Sequence, residues 1–97
     1  GLSVTNDGNT VRATMAELTS ERREELAKTV KKTAETARIS IRNHRDEVMK
    51  KVKGAKEAKE ITEDDEFSIK DALQKKVDAA NKRVDELTER KLTSIAE

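Results

Sequence analysis

Ninety-seven residues allow one small domain, or one piece of a larger one, and leave no room for a second independent core. Charged side chains make up 42% of the chain and hydrophobic ones 33%, with one aromatic residue (Phe67), no proline and a net charge of only +1. A near-neutral balance with periodic apolar residues argues against a disordered tail and for long amphipathic helices of the bundle or coiled-coil kind. The chain has no cysteine, so neither a disulfide framework nor thiolate chemistry is available. It also lacks a run of about 18 apolar residues, and Gly1 to Thr10 has no basic start followed by an apolar core. The expectation is a soluble chain without membrane attachment, compatible with a reducing cytoplasm.

Residues 1–17 hold a turn signal, Asn6-Asp7-Gly8-Asn9, between short β-compatible pieces around Val4 and Val11. From Leu18 the texture changes. Thr19 and Ser20 can cap a helix whose first turn carries Glu21, and apolar residues recur at Leu26, Val30, Ala34, Ala37, Ile41, Val48 and Val52. A helix A is expected from about residue 20 to about 56. Its end is blurred by Gly54, which can be a C-terminal cap or a weak spot in a continuing helix.

Thr62-Glu63-Asp64-Asp65 is a capping-box pattern, with an acid three residues after the threonine and carboxylates where the helix dipole favours them. Helix B is therefore expected from about residue 63 to about 96. Its seam, Leu73, Val77, Ala80, Val84 and Leu87, is spaced 4, 3, 4, 3, with Ile69 and Ile95 extending it. Acid-before-base pairs at i,i+4 are expected on the outer faces: Glu24 with Lys28, Asp46 with Lys50, Glu47 with Lys51, Asp71 with Lys75, Asp78 with Lys82 and Glu86 with Arg90. The fold class is all-α, a long antiparallel two-helix hairpin or partial three-helix bundle with a short irregular or β-like N-terminal segment. Such a hairpin leaves part of each apolar stripe uncovered, which calls for a third helix or a second copy of the chain.

Chemistry concentrates in Ala37 to Asp46, where Arg38, Arg42 and Arg45 recur at spacings of four and three. On a helix, all three guanidinium groups fall within about 60° of one another, beside the apolar stripe and not in it. Lys31 shares the orientation. A cationic row on a rigid rod suits a phosphate backbone, although a solvated face is the common reading of such a row. Residues 18–58 hold 12 basic and 7 acidic side chains, a balance of +5, whereas 62–97 hold 7 and 10, a balance of −3. The two helices can also satisfy each other. Arg22 and Arg23 fall in the expected first turn, where cations oppose the dipole and an external anion would relieve them.

Other residues carry bland readings. His44 sits at the rim of the stripe as a packed residue, Phe67 and Leu92 close the edge of the core, and Ile39 points away from it. Glu63 to Glu66 lack the ligand spacing and central glycine of a calcium loop. No metal site, cofactor site or catalytic constellation is expected.

Leu18-Thr19-Ser20-Glu21-Arg22-Arg23, Ala37-Arg38 to Arg45, and Ile61-Thr62-Glu63-Asp64-Asp65 occur in the order and separation that resemble the ribosome recycling factor family. The resemblance covers residues 1 to 97. It implies a three-helix bundle carrying an inserted β domain, of which this chain resembles the C-terminal half: 1–17 as the remnant of the small β domain and hinge, 18–97 as helical bundle. It further implies a translation factor, not an enzyme, that acts with elongation factor G to disassemble the post-termination ribosome. Arginines of the second bundle helix would touch large-subunit ribosomal RNA. Matched residue by residue, the implied RNA-binding positions are Arg23, Arg42 and Arg45, with Arg38 on the same face. The hinge of the family is proline-rich, whereas Ala13-Thr14-Met15-Ala16-Glu17 is not. The competing reading is a structural coiled-coil module that self-associates through its apolar seams.

Overall fold

In the computed structural model the backbone of residues 2–97 and the side chains of residues 17 and 19–97 are described. Two helices, α1 (Leu2–Glu57) and α2 (Glu63–Ala96), run antiparallel through a short turn, within a Cα envelope of 87 × 17 × 9 Å. At 1.5 Å per residue the 56 residues of α1 account for the long dimension. The bounds of α2 match the expected helix B, and no strand occurs among the described residues.

Helix α1 begins about 18 residues before the expected helix A. Residues 2–17 have no second strand beside them among the described residues, and a strand depends on hydrogen bonds from a neighbour, whereas a helix satisfies its backbone locally. The turn expected at Asn6 to Asn9 does not form, because α1 runs through it, and the side chains of the β-compatible pieces lie outside the described residues. With the helix starting at Leu2, Arg22 and Arg23 lie well inside it, and the dipole argument for an anion there lapses.

The turn between the helices is closed by backbone chemistry. Glu60 N–H donates to the Ala55 carbonyl at 2.8 Å and Lys59 N–H to the Lys56 carbonyl at 3.0 Å, which satisfies carbonyls left over at the end of α1. This arrangement needs a left-handed residue, and it is Lys59, at φ 61°, rather than Gly54. Gly54 is an ordinary position within α1. On the far side, Thr62 opens α2 with a complete capping box: its hydroxyl accepts from Asp65 N–H at 3.1 Å, and its own N–H donates to the Asp65 carboxylate at 3.0 Å.

The core is thin, with only Ala34, Val52 and Val77 buried among the described residues. Leu73, Ala80 and Val84 of the expected seam are half-buried, while Leu87 is 48% exposed. Of the six expected i,i+4 pairs only Asp71–Lys75 forms, at 3.1 Å. Asp46 turns to Arg45, Glu47 to His44, Glu86 to Arg83, and Asp78 accepts from Gln74. Such pairs are worth only tenths of a kcal/mol, so the nearest alternative donor wins.

Two substitutions follow from the turn. A Cβ at Gly54 would meet nothing within 4 Å, so Gly54→Ala is expected to stabilise the chain by roughly 0.5–1 kcal/mol. Lys59→Gly relieves a left-handed conformation that costs an ordinary residue about 1 kcal/mol. Urea midpoints rising for both at unchanged slope are the expected outcome.

Candidate nucleic-acid interface

Two ion-paired points set the register of the hairpin. Arg38 Nη2 donates to Asp85 Oδ1 at 2.7 Å, with Nη1 3.7 Å from Glu35. Nearer the turn, Lys56 Nζ lies 3.3 Å from Glu66 and 3.6 Å from Glu63, and Lys70 Nζ lies 3.5 Å from the same Glu66 carboxylate. The hairpin presents two unlike flanks.

On one flank, Val30, Ala37, Val84 and Leu87 line an open groove of about 310 Å³. Lys91 lines it as well, and helical position places Arg83 and Arg90 along its α2 rim. On the other flank, the arginine row continues towards the turn. Taking Arg38 as zero at 100° per residue, Arg42, Arg45, Met49, Lys53 and Lys56 all lie within about 60° of it. Met49, Lys53 and Lys56 line an open cleft of about 770 Å³ together with Lys50 and Lys70 and the acids Asp46, Glu57 and Glu66. The row expected from sequence ends at Arg45. The same helical count, carried on through Met49 to Lys56, is the signal that extends it.

The four arginines expected to bind RNA are differently placed. Arg42 is exposed and has no ion pair or hydrogen bond among the described residues. Arg45 is half-exposed and spends Nε and Nη2 on its neighbour Asp46, at 3.3 and 3.1 Å. Arg38 is bound across the hairpin to Asp85, a contact that raises its pKa above the ordinary arginine value. Arg23 lies apart, at the C-terminal end of α2, where its Nη2 donates to the Glu97 carbonyl at 3.4 Å. Arg38, Arg42 and Arg45 thus share one flank, and Arg23 stands more than three turns away along α1.

Two bland readings are corrected here. His44 is exposed rather than packed, with Nδ1 3.8 Å from Glu47, because no third element covers the flank its position faces. Phe67 is 74% exposed and closes no core. Leu92 is half-buried, and Ile39 points outward at 40% exposure, as its position predicts. Among the described residues there is no cluster of three or more potential metal ligands, and no helix long and apolar enough to cross a membrane.

The cationic flank can be compared with known proteins. The sequence model of the family described as "Ribosome recycling factor" matches residues 1–95. The chain belongs to the ribosome recycling factor family. Curated relatives named ribosome-recycling factor include those of Lactobacillus delbrueckii subsp. bulgaricus, 43% identical over 95 residues, and Macrococcus caseolyticus, 45% identical over 97 residues. A third, from Streptococcus equi subsp. zooepidemicus, is 44% identical over 98 residues. These alignments cover 98%, 100% and 98% of this chain but 51%, 52% and 53% of the relatives. The chain therefore spans about half the length of the family members it matches. No solved structure matches it.

The charged turn should make the hairpin sensitive to pH at both ends. The Thr62 backbone N–H, then its hydroxyl, hold the Asp65 carboxyl below the usual carboxylate range. Desolvation pushes Glu66 upward, but Lys56 and then Lys70 outweigh it and leave a net lowering. Both acids titrate lower folded than unfolded, so the stability they lend is present above about pH 4 and is lost as pH falls through their depressed values. Lys56 is raised, chiefly by Glu66, so its share is present below the ordinary lysine value and is lost as pH rises through the raised one. Urea midpoints are expected to fall on acidification below about pH 4, and less steeply in Asp65→Asn, which starts lower.

Proposed function

We propose that this chain serves as the second and third helices of a ribosome recycling factor bundle and lays its cationic flank along large-subunit ribosomal RNA. In that role it acts in the cytoplasm with elongation factor G in disassembling the post-termination ribosome, and carries no catalytic group or cofactor of its own. The observation that carries the RNA contact is Arg42, an exposed, unpaired guanidinium at the centre of a one-sided cationic row in a family member. A guanidinium with no partner on its own chain gives up nothing internal when it meets a phosphate. Arg45 need exchange only an exposed neighbour contact of the kind that is weak in water.

Arg38 is assigned a different task. Its bond to Asp85 joins α1 to α2, so it holds the row in place rather than reading RNA. Arg23 is assigned to the far end of the same surface, where it would release a long hydrogen bond to Glu97. The apolar groove on the opposite flank is assigned to the first bundle helix that the family resemblance implies.

Arg42→Ala with Arg45→Ala is expected to weaken binding to isolated large subunits and to lower the salt dependence by about 0.7–0.9 log units per log salt for each phosphate no longer neutralised. Arg38→Ala should lower the urea midpoint while leaving that salt slope unchanged. Unaltered large-subunit binding by the Arg42, Arg45 double variant would overturn the RNA contact. Self-association that persists in high salt and is abolished by Leu87→Glu would instead support the coiled-coil reading.

A further inference from the structure

The aspartates of α2 recur at intervals of seven: Asp64, Asp71, Asp78 and Asp85. A step of seven is about two helical turns, so the four stand almost in line, and all are exposed. Taking Val77 as the inward direction, they lie about 80–140° to one side, while Leu73, Ala80 and Leu87 lie about 40–80° to the other, towards the apolar groove. The contact of Asp85 with Arg38 fixes which flank the row faces. It is the flank of Arg38, Arg42 and Arg45, whose α2 edge is therefore acidic where its α1 edge is basic.

The antiparallel pairing sets the two rows level with each other. Seven residues towards the turn from Arg38 stands Arg45, and seven residues towards the turn from Asp85 stands Asp78, the same rise of about 10.5 Å along both helices. Yet Arg45 and Asp78 do not neutralise each other, since Arg45 donates to Asp46 and Asp78 accepts from Gln74. Local chemistry explains the other aspartates singly: Asp64 lies in the first turn of α2, Asp71 meets Lys75 and Asp85 meets Arg38. None of these contacts requires the four to share one line beside the arginines. Packed helix axes stand about 8–10 Å apart, close to the Debye length at ordinary salt, so a phosphate held on the α1 edge still feels the α2 row. A backbone lying lengthwise on α1 meets chiefly guanidinium groups, since Glu35 and Asp46 beside them are tied to Arg38 and Arg45. One that crosses to α2 exchanges Arg42 and Arg45 for Asp78 and Asp71.

We propose that Asp71, Asp78 and Asp85 are specificity determinants of the cationic flank: they repel phosphate from its α2 edge, align a bound RNA backbone lengthwise along α1, and weaken the capture of nucleic acid that offers no backbone in that position. This rests on the RNA-contact reading above and adds direction and selectivity to it. The row attracts no ligand of its own and acts by repulsion, the means by which like charges exclude wrong partners.

The test places Asp71→Asn with Asp78→Asn in the 97-residue chain, leaving Asp85 to its bond with Arg38. Binding is measured to isolated large subunits and to an RNA duplex of arbitrary sequence and about 20 base pairs, starting near 50 mM salt. The double variant is expected to hold the duplex about two- to fourfold more tightly, by a gain that shrinks as salt rises. It should gain less on large subunits, so that the preference for them falls by about twofold. Glu25→Gln with Glu47→Gln removes the same charge from exposed positions turned away from the flank, and should leave the preference unchanged. Unaltered duplex binding by the aspartate variant would overturn the proposal. An equal loss of preference in the glutamate variant would make net charge the cause and overturn it too. Weakened large-subunit binding by the aspartate variant would assign the row to a basic protein surface, again overturning it. If the Arg42, Arg45 double variant loses large-subunit binding while the aspartate variant changes nothing, selectivity alone falls. If neither variant changes any binding, the RNA-contact reading falls with it.

Discussion

The hairpin depends on the way its turn is closed. Glu66 holds Lys56 of α1 and Lys70 of α2 at once, between a left-handed Lys59 and a fully formed Thr62–Asp65 cap. Without this closure the two helices would have little to align them, since only three side chains are buried among the described residues. Hydrophobic burial sets the strength of most small folds; here burial brings the helices together, and hydrogen bonds at the turn choose the register.

That register makes the two flanks unlike. With Arg38 facing Asp85 and Lys56 facing Glu66, Arg42 and Arg45 stand on one side of the pairing, and Val30, Ala37, Val84 and Leu87 stand on the other. The same antiparallel pairing thus sets a cationic surface and an apolar one on opposite sides of a body only 17 Å by 9 Å across in its Cα trace.

Much of this is legible in the residues. The Thr62 to Asp65 motif sets the start of α2 because a capping box is local chemistry, settled within four residues. The 4, 3, 4, 3 spacing identifies Val77 as inward because helical geometry is fixed. What is not legible depends on what surrounds a residue. His44 and Phe67 read as packed because their positions touch the apolar stripe, yet a two-helix body offers nothing to pack them against. The i,i+4 pairs fail where a nearer donor or acceptor stands, a choice among conformers of nearly equal energy. Of the two readings open for Gly54, the continuing helix is the one that forms: α1 ends at Glu57, close to the expected residue 56, and the left-handed residue beyond it is Lys59.

A narrow rod fastened near one end behaves as a lever. A tilt of a few degrees at the turn would carry the remote end of an 87 Å body through several ångströms, more than the length of a hydrogen bond. Arg38 with Asp85 acts as a second fulcrum partway along. It leaves Arg42 and Arg45 between two cross-helix contacts, so a tilt at the turn displaces them less than it displaces the remote end.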